Sequence, residues 1–384
     1  MIKHVLKITW HTKRQYAGIL VEQGLVMFVL MFCMVIFAKT IKQLRDPGIL
    51  NVDNTFICLF AETDPNATTE ISKKLDAVTD HLRRLPYVEH VSYNRNLAPF
   101  INSNNLMDSI RVDDKTIGAV IKASDEHGAA VFHPVMEEGR WIENSRLPDG
   151  TVPVVISRQF AEKAGWSQGT GKKFQYRSFT CTVVGVTSGL KSELAWPSPA
   201  AAVIPTSIEG EAQRVITVRV KRNSKADFYD TYCHVFKQFI PPDMAEPAIV
   251  NLEEIKQGNS FGTKFHLLLL GLPTAFLTIF AFVGTFGLFW SHARQSFKEF
   301  ALRMALGSTR KQLIYFVIVQ SLLVTLIAML PALALAAAIY DYTGPQVTGV
   351  AVAAGCMLLF SVVSTWYPAW KVSRVNPAET LQHE

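Results

Sequence analysis

Residue types that could do chemistry occur in this chain, but none stands in the company its chemistry requires. The run Gly169-Thr170-Gly171-Lys172-Lys173 has the glycines and lysines of a phosphate cradle. It lacks the first glycine at phosphate-loop spacing, and Lys173 stands where a serine or threonine would ligate magnesium. No His-Glu-x-x-His, Gly-x-Ser-x-Gly or Cys-x-x-Cys occurs, which removes the metalloprotease, hydrolase and dithiol readings. The ten histidines are scattered without ligand spacing. The doublets Glu137-Glu138 and Glu253-Glu254 read as solvated surface or helix-start charges. Of the five cysteines, Cys33 and Cys356 fall in apolar runs, while Cys58, Cys181 and Cys233 match no metal spacing; all read as packed thiols. The expectation is a chain without catalytic residues, metal ligands or a cofactor site.

What is patterned is a surface for contact. Ser291–Lys311 carries Arg294, Lys298, Arg303, Arg310 and Lys311 against one acid, Glu299. Within it Phe297, Phe300, Ala301, Met304 and Ala305 recur at helical spacing, so one apolar stripe lies between flanking cations. Gly307 is placed to stop this helix, and Ser308 or Thr309 to cap the next. Taken alone, the pattern fits a helix resting on lipid headgroups as well as one docking a partner protein.

The elements that must hold this segment are membrane spans. Phe265–Trp290 and Leu313–Tyr340, on either side of it, contain no Asp, Glu, Lys or Arg. Each exceeds the roughly 20 residues that cross a hydrocarbon core. A short loop with this basic bias belongs on the cytoplasmic side. The first span is 17–38, preceded by Lys3, Lys7, Lys13 and Arg14 in a cytoplasmic segment 1–16. It is read as an uncleaved anchor, because no Ala-x-Ala site follows. Lys39, Lys42 and Arg45 weaken the charge bias of that span, but Lys371 and Arg374 after the last span (347–366) restore it. Both termini are expected in the cytoplasm, with a tail over 367–384. Glu22, near the inner end of the first span, reads as a snorkelling or helix-paired carboxylate.

Charge divides the chain in the same places. Residues 1–45 carry seven basic residues and one acid, 46–260 carry 23 basic and 27 acidic, and 261–384 carry eight and four. The overall +6 thus comes from membrane flanks, and no nucleic-acid footprint is present. Residues 46–260 pattern as a soluble α+β domain. Thr55–Glu62, Ala67–Leu85 and Val88–Tyr93 form one β-α-β unit, and Val215–Val220, Ser224–Phe239 and Ala248–Leu252 form another. An insertion over about 125–204 lies between them, with strands at Val154–Ser157, Lys173–Tyr176 and Thr180–Val186 and a helix Arg158–Ala164 closed by Gly165. The fold class is a membrane α-helical protein of four spans, one plus three (17–38, 265–290, 313–340 and 347–366), with an α+β extracytoplasmic domain between spans one and two.

Four stretches resemble one family. Phe300–Leu313 resembles the coupling segment of the MacB/FtsX/LolC-type ABC-transporter permeases. Tyr367-Pro368-Ala369-Trp370 and Asn376–Leu381 resemble their C-terminal signature. Pro134–Trp141, Val154–Trp166 and Thr182–Val186 resemble their periplasmic core domain. The resemblance implies a permease of the bacterial inner membrane that pairs with a second permease subunit, identical or not, and binds separate cytoplasmic ATPase subunits. ATP and magnesium would be bound by those ATPases. Phe297, Lys298, Phe300, Ala301, Arg303, Met304 and Gly307 would form the coupling face. Gln382 departs from the basic residue common there. Mechanical transmission for export or extraction of a peptide, lipoprotein or other amphiphile, with a periplasmic or outer-membrane export partner, is the implied function. The alternative is an FtsX-like regulator of an extracytoplasmic cell-wall hydrolase.

Overall fold

The computed structural model describes residues 13–46, 48–64, 67–101, 107–209, 215–295, 307–341 and 343–372. The chain forms two units, a domain over 43–263 and a helical unit made of the remainder.

The domain is built on two β-α-β units, β1 (Thr55–Glu62), α2 (Thr68–Arg83), β2 (Val88–Arg95) and β10 (Val215–Val220), α6 (Lys225–Phe239), β11 (Ala245–Asn251). Their four strands lie in the order β11-β1-β10-β2, every neighbour antiparallel. This is the split β-α-β arrangement, which leaves one face for both helices. The helical stripe Ile71, Leu75, Val78 and Leu82 of α2 and Phe228, Tyr232, Val235 and Phe236 of α6 fill that face. Each fully buried Leu, Ile or Phe contributes about 2 kcal/mol by removal from water. Tyr232 keeps its hydroxyl satisfied by donating to the Leu59 carbonyl at 2.8 Å, which also fixes α6 on β1.

Between β2 and β10 the chain builds a second lobe from β3 (Met107–Val112), β4 (Lys115–Ser124), α3 (Gly128–Phe132), β5 (Met136–Gly139), β6 (Val152–Ser157), α4 (Arg158–Ala164), β7 (Lys173–Tyr176), β8 (Phe179–Thr187), β9 (Ala201–Pro205) and α5 (Thr206–Glu209). Strands β4-β3-β7-β8-β6-β9 close into a ring, because β9 pairs back, in parallel, with β4 from Val120↔Ala201 to Ser124↔Pro205. The lobe therefore reaches upstream of Asp125, where sequence patterning started it. The physical reason is that β4 serves both lobes: Asn94↔Ser124 joins its end to β2, while its first half, Lys115–Val120, pairs with β3 and its second half, Val120–Ser124, with β9. Ser157 caps α4 by accepting from the Phe160 amide, and Gly165 ends it at φ +77.

The lobes share a core of Leu50, Val52, Ile57, Val120, Phe132, Trp141 and Val203. Asp125 sits at their seam, accepting from Ser92 Oγ at 2.6 Å, Tyr93 N at 2.9 Å and His127 N at 3.1 Å. Three buried cations are placed around the same core and donate to backbone carbonyls. Lys122 reaches Asn96 O at 2.7 Å. Arg219 reaches Val131 O at 2.7 Å and Asn51 O at 3.0 Å. Lys191 reaches Gln43 O at 2.5 Å and Asp46 O at 2.9 Å.

Four helices are long and apolar enough to span: α1 (Lys13–Arg45), α7 (Leu252–Gln295), α8 (Arg310–Ile339) and α9 (Gly344–Val372), the end of α1 and the start of α7 belonging to the domain and the rest to the helical unit. Met27, Leu30 and Met31 of α1 pack with Met329, Ala332 and Ala336 of α8 and Ala353 and Met357 of α9. Small residues permit this approach: a Cβ on Gly24 would lie 3.3 Å from Ala328 O, and one on Gly349 2.5 Å from Val35 Cα. Helices α8 and α9 are joined by a buried hydroxyl cluster in which Thr325 donates to Ser361 Oγ at 2.8 Å and Thr365 to Ser321 Oγ at 2.9 Å. Glu22 packs where Gly284 of α7 has no side chain, as a helix-paired carboxylate would.

One pH dependence follows from Lys122. Burial pulls its ammonium from 10.5 down to about 8. Between those values the unfolded chain keeps a proton that the folded domain has lost, so stability rises with pH by on the order of 3 kcal/mol across that window and is flat below it. In the detergent-solubilised chain, Lys122→Met should abolish this increment in denaturant unfolding followed by domain fluorescence; an identical pH 8–10.5 profile in both proteins would refute it.

Candidate coupling region

Phe297, Lys298, Phe300, Ala301, Arg303 and Met304 lie outside the described residues, as does the cap Asn376-Pro377 expected in the tail. The frame on either side of the segment is described. On the far side, Gly307 is exposed at φ +101, the left-handed conformation in which glycine carries no steric cost. Thr309 then caps α8 with a reciprocal pair: its Oγ1 accepts from Gln312 N at 3.3 Å, and Gln312 Oε1 accepts from Thr309 N at 2.9 Å. Of the two capping residues that sequence allowed, the structure uses Thr309. The first turns of α8 then bury Leu313, Phe316 and Val317 against Ala369 of α9.

On the near side, aromatic rings tie α7 to α9. Phe286, Trp290, Tyr367 and Trp370 stack in succession, with Phe286–Trp290 centroids 6.2 Å apart, Trp290–Tyr367 6.0 Å and Tyr367–Trp370 6.2 Å. The Lys371 ammonium lies 4.9 Å above the Trp290 ring. Each ring pair contributes about 0.5–1.5 kcal/mol beyond its area, and an exposed cation over a ring about 0.5–1 kcal/mol. Both ends of the coupling segment therefore leave from fixed helices. The spacing behind this clamp, four residues in Phe286/Trp290 and three in Tyr367/Trp370, was visible in the sequence; that the two pairs meet was not.

Among the described residues no group of three or more His, Cys, Asp or Glu could hold a metal ion. The loop at Gly169–Gly171 is occupied by the chain itself: Glu138 Oε2 accepts from Gly169 N at 3.0 Å and Thr170 N at 3.2 Å. Partial burial pushes that carboxyl up, but these amides and Arg158 hold it below its usual range. Glu137 pairs with Arg158 as well. The doublet is a structural brace.

Comparison with known proteins agrees with this layout. Residues 24–228 match the MacB-like periplasmic core domain, and residues 274–377 match the FtsX-like permease C-terminal domain. No curated protein matches the chain. Among solved structures, the periplasmic region of MacB from Actinobacillus actinomycetemcomitans is 17% identical, covering 54% of this chain and 92% of its own, with a TM-score of 0.38. The extracellular domain of the noncanonic ABC-type transporter YknZ from Gram-positive bacteria is 13% identical, covering 51% and 100%, with a TM-score of 0.36. With a core-domain match over more than half its length and the permease match over its last three membrane helices, the chain belongs to the MacB/FtsX-type family of ABC-transporter permeases.

Proposed function

We propose that this chain is the membrane subunit through which separate cytoplasmic ATPases move a periplasmic domain, in the export or extraction of a peptide, lipoprotein or other amphiphile. A single observation carries the reading. Helix α7 runs without a break over 44 residues, from Leu252 in the domain to Gln295. At 1.5 Å per residue that is roughly 66 Å, about twice the hydrocarbon thickness. A continuous helix of that length transmits axial and lateral displacement, which a linker of flexible residues would absorb.

Spans almost empty of ionisable groups support the same reading, since solute and proton paths are usually built from such groups. ATP and magnesium then belong to the ATPase partner, and this chain needs no cofactor. A second permease subunit completes the complex, and an export partner would meet the domain in the periplasm or outer membrane. The basic bias of residues 291–311 supports a cytoplasmic side for that segment and, through the order of the spans, for both termini. The stripe Phe297/Phe300/Ala301/Met304 is the proposed ATPase contact, flanked by Lys298 and Arg303.

Placing a carboxylate on that stripe tests the contact. Met304→Glu should abolish co-purification of the ATPase and uncouple its hydrolysis; wild-type pull-down and activity would reject this face. The frame around Gly307 gives a graded expectation. Thr309→Ala removes the cap of α8 at a cost of about 1 kcal/mol. It should speed amide exchange at 311–312 by roughly fivefold and leave ATPase binding intact. Complete loss of binding would mean that the cap belongs to the docking face itself.

A further inference from the structure

Residues 43–54 lead from the last turn of α1 into β1, and within the domain the described ones are held at Gln43, Asp46, Gly48, Asn51 and Asn54. Lys191, only 1% exposed, sends its ammonium to the carbonyls of Gln43 and Asp46, with the Asp46 carboxylate 3.8 Å away. Its own amide donates to Gly48 O at 2.9 Å. At Gly48, φ is +130, and a Cβ there would lie 3.0 Å from the Cα of Gly189, so two backbones cross where neither can carry a side chain. Leu50 and Val52 are buried, and Arg219 and the Phe132 carbonyl hold Asn51 on both of its backbone groups.

The far end of the same segment touches the first turn of α7. Lys256 pairs with Asp53 at 2.9 Å, and Asn54 N donates to Glu253 Oε2 at 3.0 Å. Lys225 and the Asn251 side chain complete that anchor. One short segment thus joins the last turn of the helix that enters the domain to the first turn of the helix that leaves it.

Burying an ammonium costs several kcal/mol unless its donors are satisfied. A helix C-terminus offers what Lys191 needs: carbonyls without intrahelical partners at the negative end of the macrodipole. The stronger the charge, the tighter the grip on that last turn.

We infer that Lys191 is a positioning residue for force transmission, locking the end of α1 to the domain so that residues 43–54 act as a yoke between α1 and α7. This rests on the transmission reading given above. The test uses the complete permease–ATPase complex in lipid nanodiscs. Two signals are read: amide exchange along the chain, and the ATP-dependent change in distance between nitroxides attached through a non-natural amino acid at positions 229 and 339 of this chain, where Tyr229 and Ile339 are exposed.

In Lys191→Met, amides 48–51 should exchange about tenfold faster while those of 215–220 are unchanged. ATP hydrolysis should stay within about twofold of wild type, while the ATP-dependent distance change falls by more than half, with Lys191→Arg restoring much of it. A lysine of purely structural importance would lower stability without separating hydrolysis from motion. Wild-type protection at 48–51 together with wild-type motion in Lys191→Met would overturn the inference. Should that variant unfold, shown by exchange at 215–220, Lys191→Gln keeps a polar side chain without the charge and decides the matter: motion lost with the fold intact supports the yoke, and motion kept overturns it. If the wild-type complex shows no ATP-dependent distance change, the transmission reading itself fails, and the lock stands or falls on the exchange data alone.

Discussion

A backbone carbonyl removed from water needs a donor, and this domain meets that need at its junctions with buried cations. Lys191, Arg219 and Lys122 donate to carbonyls of residues 43–51, 96 and 131, the places where the chain passes from one element or lobe to the next. Regular ladders do not satisfy these groups, because they lie at helix ends (Gln43 and Val131) or in irregular connectors (Asp46, Asn51 and Asn96). Long side chains with several donors reach them from the core. The cost is desolvation of the charge, visible in the depressed proton affinity of Lys122. In return the connectors are hydrogen-bonded to side chains of the core.

The two lobes illustrate what this fixing allows. The split β-α-β sheet has its helices on one face, so its other face must be covered by something. The shared core around Ile57, Val120, Phe132 and Trp141 provides that cover, and the strand ring behind it is closed by β4–β9 pairing. Asp125, bonded to Ser92, Tyr93 and His127, sits where β4 hands over from one lobe to the other. A rigid two-lobed body is suited to being moved as a whole.

The membrane helices use a different vocabulary for the same end. Lipid gives apolar side chains little reason to prefer one another, so helix pairs are selected by close approach and by hydroxyls. Gly24, Gly349 and the Ser321/Thr325/Ser361/Thr365 cluster do this for α1, α8 and α9. Helix α7 keeps a long row of exposed apolar residues from Phe261 to Val283, with the aromatic clamp near its end. A chain with this composition performs no chemistry of its own in the proposed reading; it relays work done on a partner.

Much of this was legible without coordinates. Spans of uncharged residues, the basic segment 291–311, the period of Ile71/Leu75/Val78/Leu82 and the alternation in Thr55–Glu62 are local properties, and local sterics and solvation determine spans, helices and strands from them. Thr309 likewise announced a cap, because a cap acts on neighbouring backbone. What needed the tertiary structure were the partnerships: β9 closing on β4, Glu138 filling the glycine loop, Trp290 meeting Tyr367, and Lys191 reaching Gln43 across 148 residues. Nothing in a lysine's immediate neighbours says whether its ammonium will be solvated or buried. That is decided only when distant segments pack and leave a carbonyl without water.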